Sequence, residues 1–300
     1  MGISFHIPRG VRVEKIAPAW RDRKSVLTQF AASFRLDPAT GTVLKAESHS
    51  FVVRVELGGM PLIVKWRALV GLRDRAKSLL RASRGFRQWR GARRLQRAGI
   101  PVAGPIALLT QSGGLEPEAT IWPKAPLPPH DWPREWLLLE EAPGKTLLRH
   151  LADRDLSVRD EHALARAVGV QVGAMLRANV CNRDHKPSNL IVTFDEGVPI
   201  VTLIDTVAIR RRGNPGEMAR MLATLLIEPI GVGVAPRGTL AYRVLRDACA
   251  AWLEHTLARP LGTAKGDKKA LRAMVRSMAR RVDQYIRTHG DPTPKVNPLA

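Results

Sequence analysis

Cysteine is scarce in this sequence, since only Cys181 and Cys249 occur among 300 residues. Two cysteines cannot form a disulfide framework or supply all the ligands of a structural metal site, so a reducing cytoplasm is the expected location. Long apolar runs are also missing. A helix that crosses a bilayer needs about 20 apolar residues, whereas runs such as residues 221–227 are far shorter, and residues 1–10 lack the apolar centre of a signal peptide. The sequence predicts a protein that is soluble or peripheral to a membrane.

Acidic residues are few relative to basic ones. The chain has 27 Asp and Glu against 48 Lys and Arg, which gives a net charge of +21. A charge of this size is typical of proteins with an anionic partner, such as nucleic acid, an acidic membrane or a phosphorylated ligand. The sequence lacks the aromatic-studded basic strands and the helical modules that bind nucleic acids. We therefore expect no nucleic-acid partner and favour an anionic membrane surface.

The basic excess is strongest at residues 67–97, which contain eleven Lys and Arg and a single acid, Asp74. A basic run of this kind is often only the solvated face of a helix. It can equally bind an anionic ligand or a membrane surface, and the sequence leaves both alternatives open.

Up to about residue 141, short apolar runs with a period of two predict β-strands. The Gly58-Gly59 pair between two of these runs is typical of a hairpin turn. The predicted strands cover residues 42–46, 51–57, 60–66, 105–109 and 136–139. Two helices are expected in this part, a short one at residues 24–34 and a main one at residues 84–98.

From residue 142 onward the apolar residues recur at helical spacing. Helices are predicted at residues 145–151, 157–177 and 239–259, at residues 267–288, and from residue 214 onward. We therefore predict an α+β, two-lobed fold with a mostly helical C-terminal lobe at residues 142–300. The N-terminal lobe, at residues 42–141, would hold an antiparallel sheet with one main helix. Residues 1–41 would be an N-terminal extension, and residues 111–134 an irregular insertion.

The chemistry is concentrated at residues 182–189, which read Asn-Arg-Asp-His-Lys-Pro-Ser-Asn. Asp184 and Asn189 are five residues apart, and a second carboxylate, Asp205, ends the apolar run at residues 201–204. Phosphoryl transfer from ATP needs a carboxylate that accepts the proton of the attacking hydroxyl. It also needs an amide oxygen and a second carboxylate that hold Mg²⁺. The alternative is a polar surface hairpin without chemistry.

Four other motifs fit the same reaction. The sequence Leu-x-x-Ala-Gly-Ile-Pro-Val lies at residues 95–102 and Glu-Glu-Ala-Pro-Gly at residues 140–144. Lys65 lies late in a predicted strand that follows a hairpin, and Leu-Ile-Asp lies at residues 203–205. Together with residues 183–189, this order of motifs resembles the lipopolysaccharide kinase (Kdo/WaaP) family of the protein-kinase-like superfamily, over roughly residues 42–225.

The resemblance implies an ATP-dependent kinase that phosphorylates a sugar hydroxyl of a lipopolysaccharide inner core or a related glycolipid. Such an enzyme works at the inner face of the cytoplasmic membrane. Asp184 would be the catalytic base, with Lys186 in the same catalytic loop. Asn189 and Asp205 would bind Mg²⁺, and Lys65 would contact the ATP phosphates.

The resemblance also indicates other contacts to ATP. Backbone groups from Glu140 to Ala142 would bind adenine, and the turn that holds Ser48 and Ser50 could offer N–H groups to phosphate although it has no glycine-rich loop. Gln88 stands where kinases have the glutamate that orients the lysine. An amide can accept a hydrogen bond from Lys65 but cannot neutralise it.

Several alternatives remain at this point. The chain could be a pseudokinase that binds without turnover, which Gln88 favours, or a kinase for protein Ser/Thr or another small molecule. Only eight residues, 206–213, separate Asp205 from the helix cap at Asn214. This is short for a platform that holds a peptide, so a sugar acceptor is favoured. The arginines at 210–212 would hold acidic groups of the acceptor, or form a solvated turn.

Overall fold

A computed structural model describes residues 11–33, 41–47, 49–69, 71–111, 133–262, 264–290 and 298–299. The chain divides into two compact units. The N-terminal unit comprises Met1–Arg93 and Ala103–Glu141, and the C-terminal unit comprises Arg94–Val102 and Ala142–Ala300. Among the described residues, none of the helices has both the length and the apolar character needed to cross a membrane.

The N-terminal unit is built on a six-stranded sheet in which every neighbouring pair is antiparallel, in the order β1-β5-β6-β4-β3-β2. The strands are β1 (Val11–Ile16), β2 (Gly41–Glu47), β3 (Ser50–Leu57), β4 (Met60–Ala68), β5 (Pro105–Gln111) and β6 (Arg134–Glu140). The hairpin between β3 and β4 turns at Gly58 and Gly59, whose φ angles of 59° and 76° suit glycine.

Both faces of this sheet are covered. Alternate residues of a strand point to opposite faces, so one face of β4 carries Val64 and Trp66, which join a buried cluster with Leu27 of helix α1. The other face carries Ile63, which packs against Phe86 and others of a second cluster. The helices are α1 (Lys24–Ser33), α2 (Gly71–Leu79) and α3 (Arg84–Arg97).

The C-terminal unit is mainly helical. Its helices are α4 (Leu147–Asp153), α5 (Val158–Arg177), α6 (Pro215–Gly231), α7 (Gly238–Leu257) and α8 (Lys265–His289). Its strands are β7 (Lys145–Thr146), β8 (Cys181–Asn182), β9 (Leu190–Asp195), β10 (Val198–Leu203) and β11 (Ile209–Arg210). The buried apolar residues of these elements form one continuous core.

Helices α5 and α7 approach each other closely at two glycines. A Cβ atom at Gly169 would lie 2.6 Å from the carbonyl oxygen of Val244, and one at Gly173 would lie 2.4 Å from Cβ of Ala251. Any side chain at either position would separate the two helices. This contact fixes α5, and the predicted catalytic loop begins just after α5 ends.

The fold class agrees with the sequence-based prediction, and several elements differ from it in detail. Strand β1, which pairs with β5 at one sheet edge, helix α2 and the short strands β8 and β11 are not predicted from the sequence. Residues 145–151 do not form a single helix. Lys145 and Thr146 pair with β9, and the helix begins at Leu147 with the Thr146 hydroxyl as its N-cap. Most of the predicted insertion at 111–134 lies outside the described residues.

Candidate functional site

The predicted catalytic loop lies between α5 and β9 of the C-terminal unit. It leaves the core through the short strand β8, which pairs with β11, and it ends in a 3-10 turn, Pro187–Asn189. Proline fixes φ at the first position of that turn and disfavours a helical conformation at Lys186. Lys186 is extended, with φ −106° and ψ 154°. The loop is therefore held at both ends by secondary structure.

Asn182 fixes the backbone of Asp184. The side-chain Oδ1 of Asn182 accepts a hydrogen bond from the Asp184 N–H over 3.1 Å, and its Nδ2 lies 3.4 Å from the Asp184 carbonyl oxygen. Asn182 is fully buried. The oxygen and the nitrogen of the Asn182 amide therefore both contact the backbone of Asp184, and they hold in place the residue that carries the carboxylate.

Asn189 contacts the same aspartate from the other end of the loop. Its Nδ2 donates to the carboxylate Oδ2 of Asp184 over 3.0 Å and to the Asp184 carbonyl oxygen over 3.1 Å. The amide nitrogen is occupied in this way, which leaves Oδ1 as the atom that Asn189 can offer to a cation.

Asp205 lies at the same end of the β9–β10 hairpin as Asn189. Leu203 pairs with Leu190 in the strand register, and the Ile204 N–H donates to the Asn189 carbonyl oxygen over 3.1 Å. The Asp205 side chain accepts a hydrogen bond from the Val207 N–H over 3.0 Å. The hairpin therefore places the two predicted metal ligands side by side in the backbone, although they are 16 positions apart in the sequence.

Lys186 lies between two carboxylates. Its Nζ is 4.0 Å from Oδ1 of Asp184 and 3.8 Å from Oε1 of Glu228 on α6. Glu228 also accepts hydrogen bonds from the Ser188 N–H over 2.8 Å and from the Ser188 hydroxyl over 2.6 Å. Glu228 therefore holds the loop at Ser188 and attracts the lysine. The sequence analysis did not identify this residue, although an acid that follows the apolar run 221–227 is a usable signal.

His185 anchors the centre of the loop in the core. Its side chain is fully buried, and neither ring nitrogen has a hydrogen-bond partner among the described residues. Burial disfavours the charged imidazolium, which lowers the pKa of His185 to about 4. The Thr224 hydroxyl donates to the His185 carbonyl oxygen over 3.1 Å. His185 is thus neutral near pH 7 and acts as a packing residue.

Arg183 pairs with Glu217 in the first turn of α6, with 3.0 Å between Nη2 and Oε1. Glu217 is buried, and its own N–H donates to Oδ1 of the N-cap residue Asn214 over 2.9 Å. The ion pair joins the catalytic loop to the start of α6. It is a second contact that the sequence analysis did not predict.

The three arginines after Asp205 have different surroundings. Arg210 is half-buried and its Nη1 donates to the carbonyl oxygens of Val207 and Ile209, over 3.2 Å and 3.0 Å. Arg211 and Arg212 are exposed, and Nε of Arg212 lies 3.9 Å from Glu217. Arg210 therefore supports its own loop, which leaves Arg211 and Arg212 as the candidates for binding a ligand.

Lys65 lies in the N-terminal unit, on strand β4. It is half-buried and shares a sheet face with Ile63, two positions earlier, which packs against the cluster containing Phe86 and Trp89 of α3. Gln88 is buried on the same helix. Lys65 therefore points to the sheet face that α3 covers and is not a fully solvent-exposed strand lysine.

The remaining predicted contacts for ATP are spread along the chain. Ser50 begins β3, and its hydroxyl donates to Glu47 over 3.2 Å, whereas Ser48 lies outside the described residues. Glu140 ends β6, and its N–H donates to the Gly104 carbonyl oxygen over 2.8 Å. Ala142 is the first residue of the C-terminal unit in this part of the chain.

The structure thus brings the Asp184 carboxylate into a hydrogen bond with Asn189 and within 4.0 Å of Lys186 Nζ. Asp205 directly follows Ile204, whose N–H bonds to the Asn189 carbonyl oxygen. No cluster of three or more His, Cys, Asp or Glu side chains suited to a metal ion occurs within the described residues. The side-chain oxygens that the predicted ligands Asn189 and Asp205 could offer to a cation are those of one amide and one carboxylate.

The C-terminal unit also contains a cavity of about 410 Å³. It is lined mainly by aliphatic side chains from α4 to α8, among them Leu164, Val168, Leu225, Leu245 and Val282. Volumes of this order are typical of sites for small ligands.

Comparison with known proteins supports the fold. No model of a protein family matches the chain, and no curated protein matches its sequence. Among solved structures, the chain is similar to WaaP in complex with acyl carrier protein, with a TM-score of 0.51 and 19% sequence identity over 91% of this chain and 98% of that chain. At this level of sequence identity, the similarity shows the fold but not the activity. The chain therefore has an α+β, kinase-like fold of the type found in WaaP.

Proposed function

We propose that this protein is an ATP-dependent kinase that phosphorylates a sugar hydroxyl of a lipopolysaccharide inner core or a related glycolipid. The observation that carries the proposal is the contact of Asn189 with Asp184 in a loop that also holds Lys186. A kinase needs a carboxylate beside a metal-binding amide, and this loop has both on a kinase-like fold.

In this proposal, Asp184 accepts the proton of the acceptor hydroxyl as its oxygen attacks the terminal phosphorus of ATP. The bond between that phosphorus and the bridging oxygen of ADP breaks, and ADP leaves. Lys186, within 4.0 Å of Asp184, adds positive charge where phosphate oxygens gather. Lys65 would contact the phosphates of the bound nucleotide, as the resemblance implies.

The donor set of the loop suits Mg²⁺. This ion prefers oxygen ligands and usually keeps several water molecules beside one or two protein carboxylates and the phosphates of a substrate. Oδ1 of Asn189 and the carboxylate of Asp205 are such ligands. Bound there, Mg²⁺ would neutralise charge on the phosphate oxygens.

A glycolipid acceptor places the reaction at a membrane surface, and we propose a peripheral association with an anionic membrane. The net charge of +21 supports this part of the proposal. The short segment from Thr206 to Gly213 supports a small acceptor, because it offers no platform for a peptide.

The decisive experiment follows the radiolabel from ATP. The purified protein is incubated with labelled ATP, Mg²⁺ and either a lipopolysaccharide extract or generic protein substrates. Label in the lipid-extractable glycan supports the proposal. Label in the protein substrates alone would show a protein kinase instead, and nucleotide binding without any transfer would show a pseudokinase.

A second candidate activity, the binding of an acyl chain, is favoured by the apolar cavity. WaaP has been solved in complex with acyl carrier protein, and an aliphatic lining of about 410 Å³ suits a hydrocarbon chain. The test is titration with a fluorescent fatty acid. Val168→Trp would fill the cavity and abolish binding, whereas Val170→Trp, at an exposed position of the same helix, would not. Equal binding by both variants would show that the fatty acid does not bind in the cavity.

A further inference from the structure

Helix α2 presents an apolar face to solvent. Leu72 and Leu79 of α2, together with Leu80 directly after the helix, are here called the leucine face. They are 84%, 86% and 78% exposed, the highest fractions of any large apolar side chain in the described residues. Leu72 and Leu79 are seven positions apart, with exposed Ala76 between them, so they share one side of the helix. Helix α2 has no buried residue at all. Its leucines therefore do not contribute to the core.

The backbone around the leucine face is held in place. Arg67 of β4 pairs with Asp74 of α2 over 3.0 Å. Beyond the helix, Arg90 of α3 donates to the Arg81 carbonyl oxygen over 2.9 Å, and Glu135 of β6 accepts hydrogen bonds from the Ser83 hydroxyl and from the Gly85 N–H. These contacts fix α2 on both sides, so the outward direction of its leucines is a property of the fold.

Positive charges surround the leucine face. Arg73, Arg75, Lys77 and Arg81, here called the α2 cations, are interleaved with the leucines in the sequence. Asp74 is the single acid in residues 71–81 and is already paired with Arg67. A short helix with an apolar side flanked by cations has the chemistry of a segment that lies in the interface of an anionic bilayer.

We propose that α2 docks the protein on an anionic membrane by inserting the leucine face among the lipid chains, with the α2 cations at the head-group phosphates. This inference rests on the proposed action at a membrane, and it adds that charge alone is not enough for binding. The occupant is a lipid surface because the cations lie beside the leucines and no unpaired acid in residues 71–81 would oppose the head groups.

The first test is co-sedimentation with vesicles of equal parts phosphatidylcholine and phosphatidylglycerol, compared with pure phosphatidylcholine. The wild-type protein should bind the anionic vesicles. The variant with Leu72→Ser, Leu79→Ser and Leu80→Ser should bind at least about tenfold more weakly, because the apolar transfer is lost. The control variant carries Val158→Ser and Val198→Ser, two exposed apolar positions of the C-terminal unit, and should bind like the wild type.

The second test detects insertion directly. Both natural cysteines are buried, so Ala76→Cys can be labelled with an environment-sensitive dye such as NBD. The fluorescence should shift to the blue and rise with anionic vesicles, while the same dye at Glu196→Cys, in the β9–β10 turn, should not respond. Vesicle binding without a signal at position 76 would overturn the inference.

Other results would also overturn it. Unchanged vesicle binding by the leucine variant would show attraction by charge alone. A wild-type dimer that becomes monomeric in the leucine variant, with no vesicle binding by either, would show that a second copy of the chain covers this face. Neither test needs ATP or a sugar acceptor, so failure here is distinct from failure of the proposed kinase activity.

Discussion

The amide Nδ2 of Asn189 lies 3.0 Å from the carboxylate Oδ2 of Asp184 and donates a hydrogen bond to it. This bond orients the predicted base and turns the amide oxygen of Asn189 away from it. One short loop therefore holds both the predicted proton acceptor and a predicted metal ligand.

Asp184→Asn should lower the rate of phosphoryl transfer by about 10²–10⁴-fold and leave the affinity for ATP almost unchanged. The new amide keeps the shape of the side chain but cannot accept the hydroxyl proton. Steady-state kinetics and a nucleotide-binding titration measure the two effects. The control is Asp195→Asn, at the exposed end of β9. A parallel fall in affinity would mean that Asp184 is a structural residue or a metal ligand.

Asp205→Ala should abolish Mg²⁺-dependent turnover, because the site loses the carboxylate that is expected to bind the ion. It should also remove the effect of Mg²⁺ on nucleotide affinity. Nucleotide titrations with and without Mg²⁺ test this on the folded variant, with circular dichroism as the check of folding. A folded Asp205→Ala protein with full activity would contradict the assignment of Asp205 as a Mg²⁺ ligand.

Glu228→Ala should reduce the turnover number more than it changes the KM for ATP. This carboxylate accepts both hydrogen bonds from Ser188 and lies near the positive charge of Lys186. An unpaired Ser188 N–H costs about 1–3 kcal/mol. Glu228→Gln keeps an acceptor oxygen and should recover part of the turnover. If both variants lost only thermal stability, with normal turnover per folded molecule, Glu228 would not position the loop.

The burial of His185 leads us to expect that the protein loses stability in acid. Burial lowers its folded-state pKa to about 4 from an ordinary value of 6.5, so the unfolded state binds the extra proton. Stability from this residue is therefore complete above pH 6.5 and falls as the pH drops toward 4, by roughly 3 kcal/mol in total. Urea unfolding should be measured at several pH values in that window. The free energy of unfolding should decline less steeply for His185→Leu than for the wild type. Equal slopes for both proteins would contradict the prediction.

Arg211→Ala combined with Arg212→Ala should raise the half-saturating concentration of an acidic sugar acceptor several-fold more than that of ATP. Both side chains are exposed, and guanidinium groups bind carboxylates or phosphates in a bidentate manner. Arg210→Ala should instead lower thermal stability, since Arg210 bonds to two carbonyl oxygens of its own loop. An equal effect on ATP and acceptor would argue against an acceptor site at these arginines.

The sequence predicts those parts of the fold whose signals are local. The β3–β4 hairpin follows from alternation and from Gly58-Gly59, and α5 follows from its apolar period and from Ser157, which caps it. Strand β1 is different, because its partner β5 lies about 95 positions away. Helix α2 carries apolar residues at helical spacing, but the helix has only nine residues and none of them is buried, so its sequence signal is weak. Glu228 can be noticed in the sequence as an acid that follows an apolar run, but its contacts and those of Glu217 depend on which loop α6 packs against.

The pairing of β1 with β5 has a consequence for handling the protein. Val11–Ile16 covers the backbone N–H and C=O groups along one side of β5. A shortened protein that starts at residue 42 would leave those groups open on a strand rich in Leu and Ile. Open apolar strand edges recruit other strands, so such a shortened protein would tend to self-associate into aggregates. Strand β1 thus protects the N-terminal unit from aggregation, whatever the chemistry of the loop.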